Sequence, residues 1–145
     1  MDINPEIARQ TLVDADQLYC AAEVATALDI MAQQITDKLA GKNPLVLCVM
    51  NGGVIVTGHL LTRLNFPLQQ DYLHASRYRG ATVGSKTVSW LHKPETPLAG
   101  RHVLLVDDIL DEGYTLQAII AWCREQDAAS IHTAVLADKQ HERKA

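Results

Sequence analysis

Hydrophobic positions along the chain alternate between helical spacing and short continuous runs. From residue 17 to residue 41 apolar residues recur every three or four positions, which predicts one amphipathic helix with Asp16 as its N-cap and Gly41 at its end. This apolar stripe consists of Val24, Leu28, Met31, Ile35 and Leu39. Earlier in the chain, Pro5 favours a short helical turn over residues 6–10.

Continuous apolar runs predict strands that are buried on both faces, as in a parallel sheet. The predicted strands cover residues 45–50, 67–74, 87–91, 103–106 and 130–137. Helical patterns over 54–64 and 116–124 follow two of these runs, each after a glycine-containing turn. We therefore expect an α/β fold, a three-layer domain with a mainly parallel central sheet.

Three aspartates and a glycine connect the run at 103–106 to the helix that follows it. Asp107, Asp108 and Asp111 precede Gly113 in this segment. Such a turn directs a helix N-terminus at one spot, where backbone amides and the helix dipole favour a phosphate. Carboxylates beside a phosphate indicate a ligand that also carries hydroxyls, a divalent cation or a proton to be removed. A phosphorylated sugar offers these together.

Other structures also place acidic residues before a helix. A single aspartate there is often only a helix cap. The receiver domain of response regulators has paired acids at a strand end, but near its N-terminus, whereas only residues 109–145 follow here. An EF-hand is excluded because Ile109 occupies the third ligand position and no helix precedes the segment.

The acidic segment resembles the signature that binds 5-phosphoribosyl diphosphate (PRPP) in type I phosphoribosyltransferases. Its Asp-Asp-Ile-Leu-Asp is most similar to the hypoxanthine-guanine branch. The resemblance implies that Asp107 and Asp108 bind the ribose and Mg²⁺, and that Asp111 is the general base. It assigns ribose and 5′-phosphate binding to the loop of Asp111, Glu112, Gly113, Tyr114 and Thr115. Glu112 stands where Thr or Ser is usual, so we expect its side chain to turn outward.

Two segments before the signature resemble other parts of the same family. Asn51, Gly52 and Gly53 match its pyrophosphate loop, in which the first position is usually Lys and often follows a cis peptide bond. The polar segment 75–86 matches a flexible loop that closes over the site. There the resemblance implies that Arg77 contacts pyrophosphate and that Tyr78 takes part in catalysis; an ordinary hairpin tip is the alternative.

The resemblance also implies which residues contact the base. Ile109 and Lys139 take the positions that face the purine. Because a lysine donates hydrogen bonds and never accepts them, Lys139 would favour a base with an oxygen at C6. Family members continue past this point with an aromatic residue that stacks on the base. We therefore expect a single phosphoribosyltransferase domain over residues 1–145 that lacks the C-terminal part of the purine-binding hood.

Composition narrows the classes of protein. A length of 145 residues suits one domain, and a net charge of −4 argues against binding nucleic acid. We expect no membrane association, because no apolar run approaches spanning length and no signal-peptide pattern is present. Cys20, Cys48 and Cys123 are far apart, which indicates buried free thiols in a reducing cytoplasm. The six histidines show no metal-ligand spacing, so we assign them structural or surface roles.

The resemblance thus implies a purine-salvage enzyme. It would transfer the 5-phosphoribosyl group from PRPP to hypoxanthine or guanine with Mg²⁺, giving IMP or GMP and pyrophosphate. Two alternatives stay open: a non-catalytic or regulatory PRPP-binding module, favoured by Asn51 and Glu112, and a xanthine-preferring phosphoribosyltransferase. A homodimer or higher homo-oligomer is implied by the resemblance.

Overall fold

The computed structural model describes residues 4–77 and 88–142. Nine regular elements and a short 3-10 turn occur in these ranges. They are α1 (Pro5–Asp14), α2 (Ala21–Leu39), the 3-10 turn (Ala40–Lys42), β1 (Leu45–Val49), α3 (Gly53–Leu61), β2 (Gln69–Arg77), β3 (Val88–His92), β4 (His102–Leu110), α4 (Tyr114–Glu125) and β5 (Ser130–Asp138). Within this described part, no helix is both long and apolar enough to cross a bilayer.

The five strands form one sheet in the order β3-β2-β1-β4-β5. Strand β1 is parallel to both β2 and β4, and β4 is parallel to β5, while β3 is antiparallel to β2. The predicted α/β fold with a mainly parallel sheet is therefore confirmed. Because β1, β2, β4 and β5 run the same way, their carboxyl ends lie at one edge of the sheet, where ligands bind in open α/β folds.

Alternating residues of the central strands face two separate hydrophobic clusters, which makes the three layers. Val46 and Leu104 pack in the cluster that contains the buried residues of α2 and α3. Leu47 and Leu105 belong to the opposite cluster, together with Ile119 of α4. Successive strand residues point to opposite faces, so an unbroken apolar run is what a sheet covered on both sides requires. The predicted stripe of α2 is buried or half-buried against the first cluster.

The starts of the two N-terminal helices differ from the prediction. Helix α1 is longer than the expected turn, and the side chain of Asn4 caps it by accepting from the Glu6 amide at 2.9 Å. Helix α2 begins at Ala21, so Asp16 is not its N-cap. Cys20, just before this helix, is exposed, unlike the other two cysteines, so the expectation of three buried thiols was wrong. The amide of Cys20 donates to the Glu23 carboxylate at 2.7 Å, and this contact across the first turn fixes the later start.

Strand β4 is also longer than the apolar run that predicted it. It continues through the aspartates to Leu110, because β5 pairs with it along this length: Asp107 faces Val135, and Leu110 faces Asp138. The prediction of an acidic turn directly after residue 106 was therefore wrong. Asp107 and Asp108 are strand residues, and the turn begins only at Asp111.

The first residues of the predicted polar loop belong to a strand instead. Ala75 and Arg77 belong to β2, where they face Trp90 and Val88 of β3. Most of the segment, including Tyr78, lies outside the described residues, so the prediction of a closing loop stays a prediction.

Candidate active site

A cleft of about 280 Å³ lies at the carboxyl ends of β1 and β4. We call it the carboxyl-edge cleft. It is lined by Met50 and Gly52 after β1, by Ala75 of β2, and by the continuous segment 107–116. The structure thus brings the two glycine-containing turns singled out in the sequence to one place, as parallel strands with a shared edge require.

The turn between β4 and α4 forms one side of the cleft and has the backbone geometry that favours an anion. Gly113 has φ of 88°, in the left-handed region that glycine adopts without a steric penalty, and α4 begins at the next residue. The Gly113 carbonyl accepts a hydrogen bond from the Gln117 amide at 2.8 Å, so the helical hydrogen bonds start at Gly113. The first amides of a helix have no intrahelical partner. Tyr114 and Thr115 line the cleft, so the positive end of α4 faces it.

Asp107 and Asp108 are half-buried at the end of β4. The Asp108 amide donates to Asp107 Oδ1 at 2.9 Å, and the Ile109 amide donates to Asp108 Oδ1 at 2.7 Å. Burial raises the pKa of Asp107 to about 6, and the neighbouring Asp108 carboxyl adds to the rise. A cation bound beside the pair would lower the cost of keeping both carboxylates charged.

These two carboxylates offer the oxygen donors that a divalent cation prefers. In residues 4–77 and 88–142, no three side chains of His, Cys, Asp or Glu come together as a metal-binding group. Mg²⁺ is usually held by one or two carboxylates plus water and substrate oxygens rather than by a full protein cage. The hard oxygen donors of Asp107 and Asp108, which line an open cleft, meet that requirement.

The loop after β1 packs tightly against the end of β4. A Cβ atom on Gly52 would lie 2.6 Å from Asp108 Oδ1, and one on Gly53 would lie 2.5 Å from the Val106 carbonyl oxygen. Position 53 therefore needs glycine because the obstructing atom is backbone, whereas a side chain at position 52 would displace the Asp108 carboxylate. The peptide bond between Met50 and Asn51 is cis, as the resemblance implies. Asn51 is exposed and Gly53 is buried, and of the predicted pyrophosphate residues Gly52 lines the cleft.

Asp111 lies against the chain that leaves β5. Its Oδ1 is 3.4 Å from the Lys139 ammonium nitrogen and 2.7 Å from His141 Nε2. The Lys139 amide donates to the Leu110 carbonyl at 3.0 Å, which ties the two segments together. The hydrogen bond from His141 holds the pKa of Asp111 below its ordinary value, and the Lys139 charge acts in the same direction.

His141 is the site residue that the sequence reasoning missed. The histidines were assigned structural or surface roles because none had metal-ligand spacing. The one available signal was its position two residues after Lys139, on the same chain segment.

Two further predicted residues line the cleft. Ile109 is 47% exposed beside the aspartate pair, as a residue that contacts a ligand would be. Glu112 is half-buried and lines the cleft as well. The expectation that its side chain turns outward stays a prediction.

Comparison with known proteins agrees with this geometry. The chain matches the phosphoribosyl transferase domain family over residues 14–145. It is 34% identical over 122 residues to the hypoxanthine-guanine phosphoribosyltransferase of Streptococcus thermophilus (strain CNRZ 1066), covering 84% of this chain and 68% of that protein. It is 33% identical over 129 residues to the hypoxanthine-guanine-xanthine phosphoribosyltransferase of Tritrichomonas foetus, covering 88% and 69%.

A solved structure shares the fold as well. The crystal structure of the L. donovani hypoxanthine-guanine phosphoribosyltransferase matches with a TM-score of 0.79 and 30% identity, over 89% of this chain and 75% of that one. The sequence matches, the mainly parallel sheet and the cleft at its carboxyl edge all lead to the same assignment. The chain belongs to the type I phosphoribosyltransferase family, in its hypoxanthine-guanine branch.

Proposed function

We propose that this protein transfers the 5-phosphoribosyl group from PRPP to hypoxanthine or guanine, giving IMP or GMP and pyrophosphate. The observation that carries the proposal is the 3.4 Å contact that Lys139 makes with Asp111, a residue that lines the cleft together with the start of α4. A 6-oxopurine presents its C6 oxygen and N7 on one edge. A lysine donor beside a carboxylate acceptor matches that edge when N7 carries a proton.

In this proposal the turn after β4 binds the phosphorylated ribose. Backbone amides of residues 111–115 and the Thr115 hydroxyl hold the 5′-phosphate, where the helix dipole favours an anion. Asp107 and Asp108 hold the ribose hydroxyls, directly or through Mg²⁺. The ion, when bound, would neutralise charge that develops on the departing pyrophosphate.

Bond formation then needs little from the protein beyond orientation and one proton transfer. A purine ring nitrogen forms the new bond to the ribose C1 carbon, and the bond from that carbon to the pyrophosphate oxygen breaks with its electrons on the oxygen. Asp111 accepts the proton from N7 of the base, while Lys139 donates to the C6 oxygen. The sugar carbon gains positive charge on the way, so nearby carboxylates stabilise the transition state.

Pyrophosphate binding is assigned to the loop after β1 and to the end of β2. Gly52 and Gly53 let the backbone approach the ligand closely, and Asn51 would donate from a neutral amide where relatives of this type carry a lysine. Arg77 would add a positive charge. Tyr78 would close over the reacting sugar and exclude water.

A second candidate is a PRPP-binding regulatory module without catalysis. Two departures from the family pattern favour it, the neutral Asn51 and the negatively charged Glu112, because each weakens the electrostatic attraction for phosphate groups. A preference for xanthine is a nearer alternative, since the Tritrichomonas foetus relative carries xanthine in its name.

We also propose that the enzyme works in the cytoplasm and as a homo-oligomer.

A pyrophosphate-release assay tests these alternatives together. The protein is mixed with Mg²⁺ and PRPP and then with hypoxanthine, guanine, xanthine or adenine in separate reactions. We expect release with hypoxanthine or guanine and none with adenine. Pyrophosphate release with xanthine alone would show that xanthine, and not hypoxanthine or guanine, is the base used. PRPP binding by calorimetry without release under any base would support the regulatory module, and neither binding nor release would overturn both.

A further inference from the structure

His141 makes the shortest contact of the Asp111 carboxylate. Its Nε2 lies 2.7 Å from Oδ1, closer than the 3.4 Å between the same oxygen and Lys139. A carboxylate only accepts hydrogen bonds, so the histidine must carry its proton on Nε2. The contact joins two segments that are 30 residues apart in the sequence, which makes it a tertiary feature of the fold.

The side chains of His141 and Asp111 differ in burial. The His141 side chain is only 16% exposed, whereas the Asp111 side chain is 53% exposed on a turn. An exposed aspartate loses rotamer freedom when it is fixed in one orientation. A mostly buried donor that reaches one of its oxygens provides that orientation before any substrate binds.

The arrangement also divides the two carboxylate oxygens. His141 takes Oδ1, while Lys139 lies 3.4 Å from Oδ1 and 3.5 Å from Oδ2. Among the described residues, Oδ1 thus contacts both His141 and Lys139, whereas Oδ2 contacts Lys139 alone. We propose that His141 is a positioning residue for Asp111, holding Oδ1 so that Oδ2 accepts the proton from the purine; this rests on the proposed function.

The contact has a consequence for pH dependence. Within residues 4–77 and 88–142, the titratable groups that contact Asp111 are His141 and Lys139, and Asp107, Asp108 and Glu112 also line the cleft. The His141 hydrogen bond is the largest cause of the lowered Asp111 pKa. Without it the pKa of Asp111 rises, so the base form is lost at a higher pH. The acid limb of the rate profile should then move to higher pH.

The test compares two substitutions at one position with a matched control. His141→Ala removes the donor, His141→Gln keeps a neutral donor, and His59→Gln changes an exposed histidine of α3. For His141→Ala we expect kcat to fall about tenfold and the acid limb of the pH–rate profile to move to higher pH. KM for PRPP should stay within about twofold of the wild-type value. His141→Gln should retain kcat within about threefold, and His59→Gln should match wild type.

Some results would overturn the role of His141 while leaving the proposed function intact. One such result is a His141→Ala variant with wild-type kcat and an unchanged pH–rate profile. Another is an equal fall in kcat in His141→Ala and His141→Gln while the acid limb stays at the same pH. Absence of wild-type turnover with any base would instead remove the proposed function.

Histidine side-chain NMR gives a readout that does not depend on activity or on the stability of the His141 variants. We expect the wild-type protein to show His141 with its proton on Nε2, and Asp111→Asn to change that signal. A His141 signal that is identical in both proteins would overturn the contact.

Discussion

The ammonium nitrogen of Lys139 lies 3.4 Å from Oδ1 of Asp111, where the turn after β4 meets the chain leaving β5. The Lys139 amide also donates to the carbonyl of Leu110, the residue before Asp111. Backbone and side chain together therefore hold the two residues as one unit across neighbouring parallel strands. In the proposed reaction this unit is the part of the cleft that recognises the base.

Replacing Asp111 with Asn should slow the reaction far more than it weakens PRPP binding. The amide keeps the shape of the side chain but cannot take up a proton, and general bases contribute a factor of about 100 or more to rates. We expect kcat with hypoxanthine to fall about 100-fold and KM for PRPP to change by less than about threefold.

Steady-state pyrophosphate release measures both quantities for this variant. Asp16→Asn is the control, because Asp16 is exposed and distant in sequence from the cleft residues. Wild-type turnover by Asp111→Asn would show that the carboxylate is not the base.

Replacing Lys139 with Met should act on the base rather than on the sugar donor. Methionine keeps much of the length of the side chain and loses the charge and the donor. A hydrogen bond from a charged group is worth about 1.5–3 kcal/mol, so KM for hypoxanthine should rise at least about tenfold while KM for PRPP stays nearly constant.

A substrate series for Lys139→Met gives both constants. Lys38→Gln on the exposed side of α2 serves as the matched control. An equal rise in KM for hypoxanthine and for PRPP would contradict a contact of Lys139 that is specific to the purine.

Gly53→Ala should destabilise the fold. Its new Cβ would lie 2.5 Å from the Val106 carbonyl oxygen, and a backbone atom in the central sheet cannot move aside cheaply. Overpacking of this kind costs about 1–3 kcal/mol, so the free energy of unfolding should fall by roughly that amount.

Urea unfolding checks this value, with Gly58→Ala as its control in the same helix. A Cβ on Gly58 meets no atom within 4 Å, so this change should raise stability by about 0.5–1 kcal/mol. Equal stability of the two variants would mean that the loop does not pack on β4 as described.

Gly52→Ala should instead weaken ligand binding with a small effect on stability. Its Cβ would lie 2.6 Å from Asp108 Oδ1, and a side-chain carboxylate can rotate away. The rotation would remove Asp108 from its place beside the metal and the ribose. We expect Kd for Mg²⁺-PRPP to rise at least about tenfold by calorimetry. Unchanged affinity in a folded variant would contradict the role of Asp108.

Local patterns were sufficient to predict the layers of the fold. The unbroken apolar runs around Val46 and Leu104 indicated strands covered on both faces, and the spacing of Leu28 and Ile35 indicated the helix that covers one face. These features depend on residues close in sequence, which is why periodicity alone identifies them.

Features that depend on contacts between distant parts of the chain could not be predicted from local sequence patterns. Strand β4 extends through Asp107 and Asp108 because β5 pairs beside it, and no local signal marks that extension. The contact between Asp111 and His141 likewise joins segments far apart in the chain. The aspartates themselves were identified from their spacing, but their hydrogen bonds depend on tertiary structure.

Crystals of the protein soaked with PRPP and Mg²⁺ would show where the sugar donor binds. We expect the 5′-phosphate over the amides of Gly113 to Thr115, with the ribose hydroxyls or the metal at Asp107 and Asp108. Density for the sugar donor at any other place, or none at saturating concentration, would rule out PRPP binding at this turn.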